Sequence, residues 1–93
     1  MNNPRDELFF LLDHYSLKLV LAESCTGGLA AANLVAIEGA SQYLCGSFVT
    51  YRPAIKKQWL GIRDETIEKH TCESQEVCTE MAVSAFKNSP LIP

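Results

Sequence analysis

The chain has 93 residues and a net charge of −3, and 47% of its residues are hydrophobic while 20% are charged. This length allows at most one domain, and the composition excludes an intrinsically disordered chain. Its basic residues form no cluster beyond Lys56-Lys57, so the electrostatic attraction that nucleic-acid binding needs is missing. No apolar run approaches the ~20 residues of a membrane span, and acidic Asp6 and Glu7 precede the first apolar residues, unlike in a signal peptide. We expect a cytoplasmic protein that binds neither nucleic acid nor membranes.

The first predicted helix begins at Asn3-Pro4, where a capping residue precedes a proline and acidic side chains follow near the positive end of the helix dipole. Apolar residues then repeat along one stripe: Leu8, Phe9, Leu11, Leu12 and Tyr15. Such a stripe predicts a helix that covers a sheet. His14 lies off the stripe, and we expect it to be exposed.

A buried strand is predicted from Leu17 to Ala22, because the run is short and is apolar on both faces after Lys18. A tight polar turn follows, and then a helix of small residues from about Gly27 to Ala36. Thr26 is a natural N-cap for this helix, so its free N–H groups would face the same space as Ser24 and Cys25. The turn therefore predicts a candidate nucleophile beside an anion or oxyanion site.

The second strand is predicted over Tyr43 to Tyr51, which is rich in aromatic and β-branched residues. Pro53 then opens a helix that Gly61 closes, Asp64 to His70 forms one short helical turn, and Ser74 caps the last helix. That last helix carries an apolar stripe of Val77, Cys78, Met81, Ala82, Ala85 and Phe86. The loops are Glu38-Gly39-Ala40-Ser41 and Asn88 to Pro93.

The predicted order α-β-α-β-α-α indicates an α/β fold with α/β/α layers around a small parallel sheet. Two strands are few for a stable sheet, so either another chain completes it or the chain is part of a larger domain. An exposed strand edge and the stripe on the last helix both predict self-association, as a symmetric homodimer.

Lys56 falls within the apolar arc of the third helix, which Ile55, Trp59 and Leu60 define, whereas Lys57 falls outside it. A lysine on the apolar side either extends to solvent or lies desolvated, and in the second case it can serve as a base. We therefore expect Lys56, and not Lys57, to be the functional lysine.

Four cysteines, Cys25, Cys45, Cys72 and Cys78, have spacings that match no zinc pattern, and free thiols are favoured. Cys25 has no histidine in evident reach, so a buried packing role is preferred for it. His70 and Cys72 are too local to form a metal site. We expect no metal and no cofactor.

The motif Ala22-Glu23-Ser24-Cys25-Thr26-Gly27-Gly28 resembles the C-terminal domain family of CinA, the nicotinamide mononucleotide deamidases. The resemblance continues through Gly39-Ala40-Ser41, Gly46 to Tyr51, Lys56 and Leu60-Gly61, and covers the chain from about Leu17 to Pro90. Family members continue into a strand and a second glycine-rich loop that have no counterpart here. The expectation is a single domain over residues 1–93 that corresponds to the N-terminal part of a CinA C-terminal-like domain.

The resemblance implies an amidase that hydrolyses nicotinamide mononucleotide, a small nucleotide, to nicotinate mononucleotide and ammonia. The implied catalytic residues are Ser24 as nucleophile, Lys56 as base and Tyr51 as an aid to proton transfer or substrate binding. The implied substrate-binding residues are Glu23, Thr26, Gly27, Gly28, Gly39 and Ser41. Taken without the resemblance, a serine at a strand-to-helix turn favours a capping or turn role.

One departure from the family pattern follows Tyr51, where relatives usually read Tyr-Ser-Asn-Glu and this chain reads Tyr51-Arg52-Pro53-Ala54. The amide and carboxylate side chains are absent, which bears on substrate affinity and specificity. The alternative interpretation is a catalytically silent homologue that acts as a small self-associating module. Glu23 alone is compatible with orienting a base, binding a ribose hydroxyl or adding hydrogen bonds to the turn.

Overall fold

A computed structural model describes residues 3–90 of the chain. The elements in chain order are α1 (Pro4–His14), β1 (Leu19–Glu23), α2 (Leu29–Val35), a 3₁₀ turn (Ala40–Gln42), β2 (Leu44–Val49), α3 (Pro53–Leu60), α4 (Asp64–His70) and α5 (Gln75–Lys87). The predicted α/β class is confirmed, with one difference. The predicted short turn at Asp64–His70 is a full helix, so the described part has five helices and two strands. The last three residues of the predicted C-terminal loop lie outside the described residues.

The sheet consists of β1 and β2, which run parallel and pair from Leu19 with Leu44 to Glu23 with Val49. The Leu19 N–H donates to the Tyr43 carbonyl at 2.8 Å, and the Thr50 N–H donates to the Glu23 carbonyl at 2.9 Å. Both strands are shorter than predicted, and β1 begins two residues later and includes Glu23. The carboxyl ends of both strands therefore meet at one edge, where Ser24 and Thr50 follow them.

Helices cover both faces of this sheet. On one face Ala22 and Phe48 pack against a cluster of Leu60, Ile62, Val77 and Met81. Leu19 packs instead with a second cluster of Phe9, Leu12 and Ala40. Because strand side chains alternate between faces, Leu19 and Ala22 point to opposite sides, and the two clusters form the two interfaces of an α/β/α arrangement.

The caps follow local sequence signals in α1 and α5. The Asn3 side chain accepts a hydrogen bond from the Arg5 N–H, and the Ser74 hydroxyl accepts one from the Val77 N–H. Thr26, in contrast, was a wrong prediction for the N-cap of α2, because Gly28 holds that position with a φ of 105°. Only a residue without Cβ adopts this backbone conformation without strain.

Helix α3 is rotated slightly from the predicted arc. Its buried line runs through Lys56 and Leu60, which are four residues apart and so lie on one face. Trp59, predicted to be buried, is instead 57% exposed.

His14 is exposed as predicted. The longest helix, α5, has 13 residues, and no helix in residues 3–90 is long and apolar enough to cross a membrane.

Glu80 of α5 ties the start of α4 to the core. Its carboxylate accepts hydrogen bonds from the Arg63 N–H at 2.9 Å and the Thr66 hydroxyl at 2.7 Å, and the Arg63 guanidinium lies 3.3 Å away. Burial alone raises the pKa of Glu80, but these hydrogen bonds and the charge of Arg63 outweigh it and hold the pKa below its ordinary value.

We predict that Glu80→Gln lowers the free energy of unfolding most at neutral pH. Because the folded-state pKa of Glu80 is depressed, its contribution to stability is present above the ordinary pKa of a glutamate side chain and is lost as the pH falls through the lower folded-state pKa. Urea unfolding of both proteins between pH 7 and pH 3 should show the difference narrowing below about pH 4.5. A constant difference, or an equal effect of Glu38→Gln at an exposed loop position, would contradict this.

Candidate active site

Ser24 and Lys56 come together at the carboxyl edge of the sheet. Ser24 directly follows β1, and Lys56 lies in the first turn and a half of the helix that follows β2. The Lys56 Nζ lies 2.7 Å from the Ser24 Oγ. Lys56 is only 2% exposed, whereas Lys57 is an exposed residue that pairs with Asp64. The predicted helical phase, with Lys56 inside and Lys57 outside, is confirmed.

Two main-chain carbonyls fix the amine of Lys56 as well. Its Nζ donates to the Thr50 oxygen at 2.9 Å and to the Tyr51 oxygen at 3.1 Å. An ammonium group has three hydrogens, which these two oxygens and the Ser24 Oγ accept. A neutral amine keeps both carbonyl hydrogen bonds and turns its lone pair to the Ser24 hydroxyl. Lys56 is therefore positioned to take a proton from Ser24 and hold it without moving.

Glu23 holds the turn that carries Ser24. The carboxylate is 6% exposed and accepts four hydrogen bonds. They come from the Ser47 hydroxyl at 2.6 Å, the Ala30 N–H at 2.8 Å, the Thr26 hydroxyl at 2.9 Å and the Ala31 N–H at 3.3 Å. The chain's own carboxylate thus occupies the start of α2, where an anion site was predicted. Glu23 and Thr26 orient the turn, and their polar groups are used internally.

The ionised form of Glu23 is favoured by this arrangement. Burial acts to raise the pKa of Glu23, since it removes water from the carboxylate. The hydrogen bonds from Ser47, Thr26 and the two α2 amides act in the opposite direction and prevail, so the pKa lies below its ordinary value. The carboxylate is therefore a fixed negative charge and an acceptor for the amides at the start of α2.

Some main-chain N–H groups of the turn after Ser24 donate hydrogen bonds within the protein, and others do not. The Gly27 N–H donates to the Ser24 carbonyl at 3.0 Å. The N–H groups of Cys25, Thr26 and Gly28 have no acceptor within residues 3–90. The N–H of Cys25 directly follows the serine, which is where an oxyanion donor lies in enzymes with a strand-turn-helix nucleophile, and the N–H of Thr26 is the next along the chain.

Cys25 was predicted to be buried, and this is wrong, because its side chain is exposed. Cys25 lies in the turn before Gly27 and Gly28, both of which have a left-handed backbone, and its side chain does not enter the core. All four cysteines are free, as the spacings predicted. Within residues 3–90, no three His, Cys, Asp or Glu side chains form a group that could hold a metal ion.

The other predicted site residues are Tyr51, Gly39 and Ser41, and none of their side chains hydrogen-bonds to Ser24 or Lys56 within residues 3–90. Tyr51 follows β2, contributes its carbonyl to Lys56, and has a side chain that is 69% exposed. Gly39 and Ser41 lie in and beside the 3₁₀ turn before β2, at the amino ends of the strands. A five-residue strand separates the two ends by about 16 Å, so the fold does not bring Gly39 and Ser41 to Ser24.

Sequence reasoning missed two contributors, Ser47 and the Thr50 carbonyl. Ser47 is a polar residue within an otherwise apolar strand, and this was the available signal. The carbonyl of Thr50 has no signal of its own, because a main-chain acceptor is present at every residue. The exposed end of the site opens into a groove of about 710 Å³. We call this the β1 groove; it is lined by residues 20–26 and 72–75 and by Cys78, Met81 and Ala82.

The fold and the site define an α/β unit in which a turn at the carboxyl end of β1 presents a serine to a buried lysine. The family model for the CinA C-terminal domain matches residues 2–90 of this chain. The chain therefore belongs to the CinA C-terminal domain family, as the resemblance predicted.

Relatives and solved structures agree with this assignment. A CinA-like protein of Petrotoga mobilis is 47% identical over 80 residues, which are 86% of this chain and 20% of that protein. One of Chloroherpeton thalassium is 42% identical over 79 residues, covering 85% of this chain and 19% of that protein. A competence or damage-inducible protein from Enterobacter asburiae superimposes with a TM-score of 0.88 at 34% identity, over 95% of this chain and 58% of that one. The CinA superfamily protein from Escherichia coli gives 0.87 at 32% identity, over 91% and 49%.

The chain thus spans about a fifth of the length of these curated relatives and about half of the solved chains.

Proposed function

We propose that this chain is an amidase that hydrolyses the carboxamide of nicotinamide mononucleotide to nicotinate mononucleotide and ammonia. The observation that supports this most is the 2.7 Å contact between the Ser24 Oγ and the Nζ of buried Lys56. A serine hydroxyl needs a base to become a nucleophile, and Ser-Lys pairs are a known variant of the catalytic triad. The identity of the proposed substrate is inferred from the resemblance to the CinA C-terminal domains.

In the proposed reaction, the Ser24 Oγ attacks the carboxamide carbon while its proton passes to the neutral Lys56 amine. The carboxamide oxygen becomes an oxyanion, for which the free N–H groups of Cys25 and Thr26 are the nearest donors along the chain. Lys56 then gives its proton to the departing nitrogen, the C–N bond breaks, and ammonia leaves an ester on Ser24. Lys56 next takes a proton from water, whose oxygen attacks the ester carbon. Lys56 returns this proton to the Ser24 Oγ as the bond between that oxygen and the acyl carbon breaks, and nicotinate mononucleotide is released.

Residues around the pair act in two groups in this proposal. The carbonyls of Thr50 and Tyr51 orient the amine, and Glu23 orients the turn through Thr26 and the start of α2. The Tyr51 hydroxyl is exposed and is proposed to contact the nucleotide or assist proton transfer. Gly28 remains a candidate contact through its free N–H, whereas Gly39 and Ser41 take no part, because they lie at the other end of the strands.

A second candidate is a catalytically silent module that acts by self-association. The observation in its favour is that the β1 groove beside Ser24 is open within residues 3–90. The two candidates differ in one measurable property, which is the release of ammonia.

The proposal predicts that purified protein releases ammonia and nicotinate mononucleotide in equal amounts from nicotinamide mononucleotide. Ser24→Ala should lower the rate by about 10³-fold or more, because no other group replaces the nucleophile. Ser41→Ala is the matched control and should retain the wild-type rate, since Ser41 is an exposed serine remote from Lys56. A wild-type rate equal to that of Ser24→Ala would refute the amidase and leave the silent module.

A further inference from the structure

Strand β1 has one unpaired edge within residues 3–90. The N–H of Leu19 and the carbonyl of Glu23 bond toward β2, and main-chain groups of alternate residues in a strand point the same way. Leu21 therefore also faces β2, while the N–H and C=O groups of Val20 and Ala22 point away from it, into the β1 groove. Four aligned main-chain groups at an open edge are a template for another strand.

The molecule exposes more surface than its mass predicts. Its accessible surface is 6598 Å² for 10.3 kDa. A compact monomer of this mass exposes about 5,400 Å². The radius of gyration is 14.3 Å and the smallest dimension is 17 Å, whereas a compact chain of this length has a radius of gyration of about 12.3 Å. The excess of about 1,200 Å² exceeds the roughly 800 Å² that each partner buries in a standard interface.

The helix beside this edge also lacks a partner on one flank. Cys78, Ala82 and Phe86 follow one another at four-residue spacing on α5 and are all exposed, Phe86 to 79%. Cys78 and Ala82 line the β1 groove, and their small side chains allow a neighbouring helix to approach closely. Glu73 is the one exposed charged residue among the groove's lining residues, so little charge opposes an apolar contact here.

We propose that the β1 groove is an interface in which β1 pairs antiparallel with β1 of a second copy, about a two-fold axis at Leu21. In this register Val20 of each copy faces Ala22 of the other, and the two pairs exchange four main-chain hydrogen bonds. The result is a four-stranded sheet in the order β2-β1-β1-β2. A second copy fits better than an unrelated strand, because it brings a matching α5 flank that packs against Cys78, Ala82 and Phe86.

The pairing also affects the active-site turn. The same register places Lys18 of one copy opposite Ser24 of the other, because both are two residues beyond the Val20–Ala22 pairs. The second copy therefore covers the open side of the β1 groove beside each Ser24. The interface itself is independent of the proposed amidase activity, because it rests on the strand edge and the α5 flank.

Light scattering after size-exclusion chromatography tests the interface directly. We expect the wild-type chain to have twice its 10.3 kDa mass at micromolar concentration. Val20→Pro should convert it to a monomer with unchanged helical circular dichroism, because the lost N–H points away from β2 and proline blocks the edge. Phe10→Ser removes an apolar side chain that is 67% exposed on α1, outside the interface, and should remain dimeric. A wild-type monomer, or a Val20→Pro dimer, would overturn the proposal.

Cross-linking tests the register even if Val20→Pro fails to fold. In the proposed register, Leu21 of one copy lies opposite Leu21 of the other at a non-hydrogen-bonded position. The Cα atoms of such a pair are about 4.5 Å apart, which is close enough for a disulfide between cysteines. With the four native cysteines replaced by serine, Leu21→Cys should form a covalent dimer. Oxidised glutathione accepts the two electrons and leaves as two reduced molecules. A variant that keeps only Cys45, an exposed cysteine on β2, should not cross-link. No cross-link at position 21, or an equal yield at Cys45, would show that β1 does not form this pair.

Discussion

Replacing Lys56 with methionine should lower the rate of amide hydrolysis by about 10³-fold, which is within the usual contribution of a general base. Methionine has nearly the length of lysine and fills the buried space, but it cannot accept the Ser24 proton. The carbonyls of Thr50 and Tyr51 lose their donor, so the free energy of unfolding should also fall by about 1–3 kcal/mol. Ammonia release and urea unfolding, measured on the same preparation, separate the two effects.

Two further variants test whether Lys56→Met loses activity because it lacks a base at this position. Lys56→Arg keeps the positive charge but should remain inactive, because arginine stays protonated and cannot serve as a base. Lys57→Ala should keep the wild-type rate, because Lys57 pairs with Asp64 at the surface. An active Lys56→Arg together with an inactive Lys57→Ala would show that the 2.7 Å contact to Ser24 is structural and that the base lies elsewhere.

Much of the fold could be predicted because its signals are local. Pro53 and Gly61 bound α3, and Ser74 caps α5, each through the backbone of its neighbours in the chain. The meeting of Ser24 and Lys56 was also accessible, since the carboxyl ends of parallel strands share one edge and a helical phase decides which lysine faces it. Topology alone also places Gly39 and Ser41 at the opposite end, because a segment before a strand cannot lie at its carboxyl edge.

The parts that could not be predicted depend on distant partners. Glu23 receives hydrogen bonds from residues up to 24 positions away, so its structural role appears only in the folded chain. The Thr26 hydroxyl is part of the same network, because it donates to the Glu23 carboxylate, while Gly28 holds the N-cap position of α2. Exposure of Trp59 and Cys25 likewise depends on which elements cover them, and neither has a covering element in residues 3–90.

Removing the carboxylate of Glu23 should have the largest effect on stability. Glu23→Ala leaves four donors without their acceptor: two main-chain amides at the start of α2 and the hydroxyls of Thr26 and Ser47. A buried donor without a partner costs about 1–3 kcal/mol, and those donors that water reaches cost less. We expect a loss of at least about 3 kcal/mol, from a total of roughly 5–14 kcal/mol for a chain of this length.

Two milder variants, Glu23→Gln and Ser47→Ala, should lower stability less than Glu23→Ala does. They also show whether the carboxylate positions Ser24. Glutamine keeps the shape but turns one acceptor into a donor, so it should cost less than alanine, and Ser47→Ala should cost about 1 kcal/mol as the loss of one hydrogen bond. If the turn orients the nucleophile, Glu23→Gln should also lower kcat with little change in KM, because Ser24 shifts relative to Lys56 while the exposed side chain of Tyr51, the proposed nucleotide contact, is unchanged. Urea unfolding and steady-state kinetics report the two effects separately. A Glu23→Ala protein as stable as Glu38→Ala, an exposed loop variant, would show that water replaces the carboxylate at the start of α2 without cost.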